Sequence, residues 1–229
     1  MTDKRAILAE HEFFRGLPPA ILQRLASHAR QVHSPSGQRI FSKGDEGLGL
    51  VAVLAGVVKI SVPSEDGKEI VLNLIGAHEI FGEIALLDGG ARTADATSLG
   101  DCELLMLDRR DVLPIVAEEP TLAIKLLEVV SRRLRRTSQQ VEDLSFGDLS
   151  VRLAKALLRL AELQGTLNEA QPRVTITQKE LGQTVGLSRE RTNWYLRAWE
   201  KVGCLTLVKG GCVITNRQQL LDLVAPDDE

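Results

Sequence analysis

ITQKELGQTVGLSRERTNWYLRAWEKVG, residues 176–203, is the stretch that decides the fold of the second half of the chain. Thr177 and Glu180 have the spacing of a capping box, so a helix is expected to begin here. Gly186 permits a tight turn, and Ser188 can cap a second helix directly after it. Helix, glycine turn and helix together predict a helix-turn-helix.

The first turns of the second helix carry residue types that suit contacts with DNA bases. They are Arg189, Glu190, Arg191, Thr192, Asn193 and Trp194. Such positions enter the major groove when a helix of this kind docks on DNA. Arginine can donate two hydrogen bonds to guanine and a carboxylate can accept one from cytosine, so Arg189 and Glu190 can specify adjacent base pairs. The alternative is an exposed Arg/Glu surface pair.

A hairpin predicted over residues 205–215 favours the DNA-binding interpretation. Lys209-Gly210-Gly211 lies at its tip, which makes the motif a winged helix-turn-helix. Lys209 can then contact a backbone phosphate.

Net charge does not contradict this interpretation. The chain carries −3 overall with a pI near 5.9. Residues 179–201, however, hold five basic and three acidic side chains, a local balance of +2. Local charge matters more than the average for a nucleic-acid partner.

The first half has a different pattern. Residues 1–30 predict a helical lead-in, and residues 37–108 contain short β-rich runs separated by glycine, which indicate a small all-β barrel or sandwich. The predicted strands are Arg39–Phe41, Leu50–Leu54, Val57–Val62, Glu69–Ile75 and Glu103–Leu107.

Helical periodicity follows from about residue 109 to 146, with an interruption near Pro120. Within it, a/d spacing of the kind found in two-stranded coiled coils links Ala123, Leu127, Val130, Leu134, Thr137, Val141 and Leu144. We predict a dimerisation helix; packing of this helix on its own barrel is the alternative. A break at Phe146–Asp148 then starts a new domain. The predicted domains are 1–117, 118–146 and 147–229, in an α+β fold.

The segment FGEIALLDGGARTADATSLGDCELLMLD, residues 81–108, has the chemistry of an anion site. Gly82 lets a phosphate approach the backbone, and a short helix starting near Glu83 directs N–H groups at it. Glu83 can accept a bond from a ribose 2′-hydroxyl, Arg92 supplies positive charge, and Thr93 adds a hydroxyl donor. The alternative is a β-turn with one surface arginine.

Both quoted stretches resemble the CRP/FNR family of bacterial regulators, and the resemblance covers nearly the whole chain. It implies an N-terminal cyclic-nucleotide-binding β-roll, a long dimerisation helix and a C-terminal winged helix-turn-helix. The implied ligand residues are Gly82, Glu83, Ile84, Ala85, Arg92, Thr93, Thr137 and Ser138. The implied DNA-binding residues are Thr177, Gln178, Ser188, Arg189, Glu190, Asn193, Trp194 and Lys209.

Resemblance to the cAMP-responsive branch gives these residues roles. Thr137 would bond the base from its own subunit and Ser138 from the other, while Thr177 would contact a phosphate. The implied ligand is cAMP, with cGMP possible, and the implied partners are a second copy of the chain, a palindromic double-stranded operator and RNA polymerase. Trp194 departs from the family, which commonly has a basic residue there, and this departure affects the half-site sequence.

Several other classes are disfavoured. Cys102, Cys204 and Cys212 lack disulfide, zinc or iron–sulfur spacing and are expected to be buried thiols. We find no catalytic triad, metal cluster or P-loop, and expect no enzyme; His78 is expected to be a loop histidine. The absence of a signal peptide and of a long apolar run predicts a cytoplasmic protein with no membrane partner. A regulator of this family that responds to a cyclic dinucleotide, or to no effector, remains the alternative.

Overall fold

A computed structural model describes residues 3–64 and 69–225, except for the side chain of Phe146. The chain forms two compact units: residues up to 62 together with 75–137, and residues 63–74 together with those from 138 onward. The helices are α1 (Lys4–Glu10), α2 (Pro19–His28), α3 (Glu83–Asp88), α4 (Arg109–Glu118), α5 (Pro120–Phe146), α6 (Leu149–Leu163), α7 (Gln178–Val185), α8 (Arg189–Lys201) and α9 (Arg217–Val224).

The strands form three sheets. They are β1 (Arg30–Ser34), β2 (Arg39–Phe41), β3 (Gly49–Ala55), β4 (Val58–Pro63), β5 (Glu69–Ile75), β6 (Ile80–Phe81), β7 (Asp95–Ser98), β8 (Cys102–Asp108), β9 (Arg173–Thr175), β10 (Leu205–Val208) and β11 (Gly211–Ile214). The strand orders are β1-β8-β3-β6, β2-β7-β4-β5 and β10-β11-β9. The first two sheets make the β-roll.

The β-roll places apolar side chains on both faces of its first sheet. Successive residues of a strand point to opposite faces. Val51 and Val53 of β3 therefore belong to the core shared with the second sheet. Leu50 and Ala52, from the same strand, belong to the core shared with the helices. This layering explains why β3 is an almost unbroken apolar run.

Helix α5 has two apolar faces. Leu122, Leu126 and Val129 are buried in the helix-covered core of the β-roll. Four of the predicted seam residues are instead more than half exposed: Leu127, Leu134, Val141 and Leu144. The alternative interpretation, packing on the β-roll, therefore describes one face of α5. The predicted dimerisation seam lies on another face, which is exposed.

The second unit contains the helix-turn-helix and its hairpin. α5 ends at Phe146, and Asp148 caps α6 by accepting a bond from the Ser150 N–H. The inward face of α6 is fully buried through Leu153, Ala154, Leu157, Leu160 and Ala161. Leu205 pairs with Ile214 and Val208 with Gly211 in the hairpin, which leaves Lys209 and Gly210 as its two-residue turn.

The predicted fold class is confirmed, with local corrections. The sequence analysis missed α9 and the strands β1, β6 and β7. β6 has only two residues, and in β7, Asp95–Ser98, only Thr97 has a high β-propensity. Gly211 was predicted at the hairpin tip but is the first residue of β11. A side chain at this position would clash with the Val174 carbonyl of the neighbouring strand, so the strand requires glycine here.

Candidate ligand pocket and nucleic-acid interface

Gly82 forms the left-handed start of the anion-site segment. Its φ is +82°, and a Cβ at this position would lie 2.4 Å from Nη1 of Arg92. Arg92 Nη1 donates to the Gly82 carbonyl at 3.1 Å. Only glycine accepts this backbone conformation at low cost while leaving room for the guanidinium. The predicted Gly82 and Arg92 are therefore in direct contact.

Glu83 and Arg92 are buried charges whose hydrogen-bonding capacity is only partly used. Glu83 is fully buried, and its Oε1 has no hydrogen-bond partner among the described residues; the same is true of Arg92 Nε. The Arg92 guanidinium lies 4.2 Å from the centre of the Phe41 ring. Buried polar atoms are normally paired, so an unpaired carboxylate oxygen beside a guanidinium fits a ligand that has both an anionic group and a hydroxyl.

The charge of Arg92 is held in place by its surroundings. Burial lowers the pKa of this guanidinium, while the charges of Glu83 and Asp45 oppose that shift. An arginine stays protonated in proteins even so. The Arg92 N–H also donates to the Asp45 carbonyl at 2.8 Å, and its carbonyl accepts from Gly44 at 2.8 Å. The backbone around the guanidinium is thus fixed to a neighbouring turn.

The other predicted pocket residues differ in exposure. Ala85 is buried, whereas Ile84 and Thr93 are exposed. Thr137 is exposed near the middle of α5, at the end of the first compact unit. Ser138 is also exposed and begins the segment assigned to the second unit. Thr93 and Thr137 are therefore both exposed residues of the first unit.

Arg133 contacts the predicted pocket residue Glu83, and the sequence analysis did not single it out. Its guanidinium pairs with Oε2 of Glu83 and also donates to the Ile80 carbonyl. One turn later on α5, Arg136 pairs with Glu79 at 3.3 Å. In the sequence both are members of a group of similar arginines in α5, so neither stands out. The missed signal is their spacing, because residues three apart lie on one side of a helix.

Helix α7 begins with the predicted capping box. The Thr177 hydroxyl accepts from the Glu180 N–H at 3.2 Å and donates to the Glu180 carboxylate at 2.6 Å. The Thr177 N–H donates to the same carboxylate at 2.9 Å. Both donor groups of this exposed threonine are therefore engaged in the cap.

Helix α8 presents the predicted base-contacting residues. Ser188 caps it by accepting from the Arg191 N–H at 3.3 Å, and Arg189 and Glu190 are exposed on its first turn. The Glu190 N–H, and then the Ser188 hydroxyl, hold the pKa of the Glu190 carboxyl below its usual range. Glu190 is thus an ionised acceptor, as contact with a cytosine amino group requires.

Thr192 corrects the sequence-based picture of this helix. It is fully buried, and its hydroxyl donates to the Ser188 carbonyl at 2.9 Å. A Cβ on Gly182 would lie 2.7 Å from that hydroxyl oxygen. Thr192 therefore packs where α7 and α8 cross, and the expectation that it enters a major groove was wrong.

Asn193 and Trp194 follow on the outer side of α8. The Asn193 side-chain oxygen accepts from Gln178 Nε2 at 3.0 Å, which links two predicted DNA-binding residues. Trp194 is 66% exposed, and its ring lies edge-on against Tyr195 with 4.9 Å between centroids. A large indole is therefore presented beside the polar residues.

The β10–β11 hairpin is hydrogen-bonded to helix α8. Glu200 of α8 accepts from the Leu207 N–H at 2.8 Å and pairs with Arg197 at 2.9 Å. Lys209 is exposed in the turn. A groove of about 490 Å³ is lined by the starts of α7 and α8 and by the hairpin, including Thr177, Gln178, Lys179 and Arg189. Cationic and amide side chains of α7 and α8 thus line one groove together with the hairpin.

In the part of the chain that the structure describes, no group of three or more His, Cys, Asp or Glu side chains could hold a metal ion. None of the helices described is long and apolar enough to cross a membrane.

Comparison with known proteins matches both units. Residues 31–119 match the cyclic nucleotide-binding domain, and residues 151–223 match the Crp-like helix-turn-helix domain. A CRP-like cAMP-activated global transcriptional regulator of Mycobacterium tuberculosis is 35% identical over 216 residues, which cover 93% of this chain and 96% of that protein. The cyclic AMP receptor protein of Thermus thermophilus is 36% identical, with 86% and 89% covered.

Solved structures share the fold. The c-di-GMP-responsive global regulator CLP of Xanthomonas campestris superposes with a TM-score of 0.74 at 22% identity, over 86% of this chain and 99% of that one. The sequence relatives and both domain matches agree on the family. The chain therefore belongs to the CRP/FNR family and is a CRP-like transcription regulator that binds a cyclic nucleotide and DNA.

Proposed function

We propose that this regulator is controlled by cAMP and that cAMP increases its affinity for a palindromic operator. The observation that carries this proposal is the pair of buried charges at Glu83 and Arg92, each with an atom that lacks a hydrogen-bond partner among the described residues. A cyclic phosphodiester joined to a ribose 2′-hydroxyl supplies what each group lacks. The cAMP-activated relatives support the choice of nucleotide.

Each pocket residue has a distinct role in this proposal. Arg92 neutralises the phosphate, and Thr93 and the N–H groups of Ile84 and Ala85 donate to it. Gly82 keeps the space that the phosphate and the guanidinium need. Oε1 of Glu83 accepts from the ribose, and Thr137 donates to or accepts from the base.

The active form is proposed to be a homodimer. The exposed seam of α5 supports this, because Leu127, Leu134 and Val141 recur at seven-residue intervals and are all more than half exposed. Two such helices side by side would bury this stripe as a coiled coil. Ser138 of the second copy would then complete the base contact.

The proposed coupling begins at Glu83. Its second oxygen is bound to Arg133 of α5, so a ribose on the first oxygen changes the charge environment of a residue in the dimerisation helix. Arg136 and Glu79 form a second connection one turn further. Nucleotide binding would in this way favour one arrangement of the paired α5 helices. Only a difference in nucleotide affinity between the two arrangements can drive such a shift.

In the favoured arrangement the two α8 helices would enter successive major grooves, about 34 Å apart. Arg189 and Glu190 would contact base edges, assisted by Gln178, Ser188 and Asn193 at the start of α7 and α8. Lys209 and Thr177 would contact phosphates. The Thr177 hydroxyl would then donate to a phosphate and no longer to the Glu180 carboxylate.

We further propose that the protein acts in the cytoplasm and contacts RNA polymerase, and that its domains end at residues 117 and 146.

DNA-binding anisotropy on operators selected from a random palindromic library tests the proposal. Full-length protein is titrated without nucleotide and with saturating cAMP, cGMP or c-di-GMP. We expect cAMP to tighten binding at least fivefold, and Arg92→Ala to bind the operator equally with and without cAMP. Arg110→Ala is the control, because that guanidinium is 82% exposed on the same unit. Equal binding by the wild type under all four conditions would refute nucleotide control.

A different effector is the second candidate, supported by the fold shared with the c-di-GMP-responsive CLP. A nucleotide that binds the native state raises the unfolding midpoint. A rise with c-di-GMP and none with cAMP would replace the first proposal by the second. The comparisons identify regulators, and we propose no enzymatic activity; conversion of cAMP to AMP by the pure protein would contradict that.

A further inference from the structure

We propose that Trp194 determines operator specificity by packing its indole against the 5-methyl group of a thymine in the major groove. This inference rests on the proposed DNA-binding function and concerns one base pair of the half-site. It assigns an apolar contact to a helix whose other predicted base-contacting side chains, Arg189, Glu190 and Asn193, are charged or amide groups.

The position of Trp194 on α8 directs it away from the protein core. Thr192, Leu196 and Trp199 define the buried face of the helix. An α-helix turns about 100° per residue, so Trp194 points roughly 200° from Thr192. Trp194 also follows Glu190 by four residues and therefore lies on the same side of the helix, one turn further along. The indole is thus placed on the side that carries the base-contacting residues.

The indole is exposed but held in position. It is 66% exposed, and its ring lies edge-on against that of Tyr195. Tyr195 in turn lies beside Trp199, with 6.5 Å between the two ring centroids. Trp199 is itself buried at 9% exposure. This aromatic series connects a surface ring to the core. A side chain held in this way loses little conformational entropy when it meets a partner.

The chemistry of the ring restricts what it can recognise. An indole has one N–H donor, no acceptor and no charge, so it cannot make the bidentate contact of arginine with guanine. The thymine methyl is the apolar group that a base pair presents in the major groove. One helical turn is 5.4 Å, which places the ring within about two base pairs of the pair contacted by Glu190.

Deoxyuridine scanning tests the proposal, because deoxyuridine differs from thymidine only by the missing 5-methyl group. Operators are first selected with wild-type protein and cAMP. Each thymine is then replaced by deoxyuridine, in both half-sites together, and dissociation constants are measured by anisotropy. The pair contacted by Glu190 is located with Glu190→Ala, which should relax preference at that pair.

We expect one thymine within two base pairs of the Glu190 contact to be sensitive. Burial of one methyl group contributes about 0.8 kcal/mol, so its loss should weaken binding about fourfold per half-site and about 15-fold in the dimer. Trp194→Ala should bind the thymine and deoxyuridine operators equally. Trp194→Phe should retain part of the difference, and Trp194→Arg should lose it and select guanine in its place.

Val202→Ala is the control variant, because Val202 is also an apolar residue of this unit at 66% exposure but lies at the other end of α8. It should keep the full deoxyuridine effect. Equal deoxyuridine losses in wild type and Trp194→Ala, or no sensitive thymine near the Glu190 contact, would overturn the proposal. The selection works even if binding proves independent of nucleotide, so failure of nucleotide control and failure of thymine recognition are distinguished.

Discussion

The proposed nucleotide pocket and the proposed recognition helix, α8, have charged side chains in opposite environments. Glu83 and Arg92 are almost fully removed from solvent, and each retains an atom without a hydrogen-bond partner among the described residues. Arg189 and Glu190 are exposed on the first turn of α8. Water therefore screens the second pair and not the first. A substitution in the pocket should therefore weaken nucleotide binding strongly. A substitution on the DNA-binding surface should change DNA affinity by an amount that depends on salt and on the DNA sequence.

The largest expected effect is a loss of stability in acid, which originates in the unit that contains Glu83 and Arg92. All four histidines lie in the first 78 residues, and His11 among them is 1% exposed with Nε2 unpaired among the described residues. Burial, and then the charge of His78, lowers the pKa of His11 to about 4. The unfolded chain protonates at a pKa near 6.5, so between pH 6.5 and 4 it binds the extra proton and the native state loses stability.

We expect this loss to reach about 3 kcal/mol by pH 4, since each pKa unit corresponds to about 1.36 kcal/mol. Urea unfolding at a series of pH values measures it. His11→Asn should flatten the slope between pH 6.5 and 4 even if the variant is less stable throughout. His33→Gln, which changes an exposed histidine, should keep the slope; equal slopes in all three proteins would contradict the assignment.

Gly82→Ala should damage the pocket next most strongly. The added Cβ meets Nη1 of Arg92 at 2.4 Å, at a φ of +82° that alanine rarely adopts. Displacement of a charge-assisted contact costs about 2 kcal/mol, so calorimetry should show cAMP binding weakened roughly 30-fold. Gly100→Ala is the matched control, because a Cβ there meets nothing within 4 Å. Unchanged affinity in Gly82→Ala would mean that the phosphate lies elsewhere.

Ribose recognition by Glu83 gives a smaller effect. Wild-type protein should bind 2′-deoxy-cAMP about tenfold more weakly than cAMP, because the analogue leaves the buried carboxylate oxygen unpaired. In Glu83→Ala the two ligands should bind within about twofold of each other, however much both are weakened. Competition against a fluorescent cAMP analogue measures both ratios. Equal discrimination in the variant would assign the hydroxyl to another residue.

The smallest effect belongs to the exposed hairpin. Lys209→Ala should lower the slope of log affinity against log salt by about one for each subunit, because one phosphate contact is lost. At a given salt concentration its affinity for matched and mismatched operators should fall by the same factor. Lys201→Ala changes another exposed lysine, at the far end of α8, and should leave the slope intact. A change in base preference in Lys209→Ala would mean a direct base contact.

The two regions also differ in how far the sequence predicts them. The helix-turn-helix depends on local chemistry, and the capping box, the Gly186 turn and the Ser188 cap were all predicted correctly. The exception is Thr192, which shares the buried face of α8 with Leu196 and Trp199 at helical spacing but was predicted as a groove residue. Gly182 leaves room for its hydroxyl where α7 and α8 cross.

The pocket depends on contacts that are distant in sequence. Gly82 and Arg92 were recognised by their spacing, but Arg133 lies 50 residues from Glu83 and was one of several similar arginines. Strand β6 is likewise only two residues long, too short for a periodic pattern, and forms by pairing Ile80 and Phe81 with β3. Local patterns predicted the elements, whereas the pairing of elements decided which charges were buried.

The central claim is that the pocket and the recognition helix are coupled, and thermodynamic reciprocity tests it directly. The measurement is the dissociation constant of cAMP by calorimetry, with and without saturating selected operator, compared with the anisotropy constants for DNA with and without cAMP. We predict that DNA tightens cAMP binding by the same factor by which cAMP tightens DNA binding, between about 5-fold and 150-fold. A factor of one in both directions, with each ligand still bound, would contradict the account.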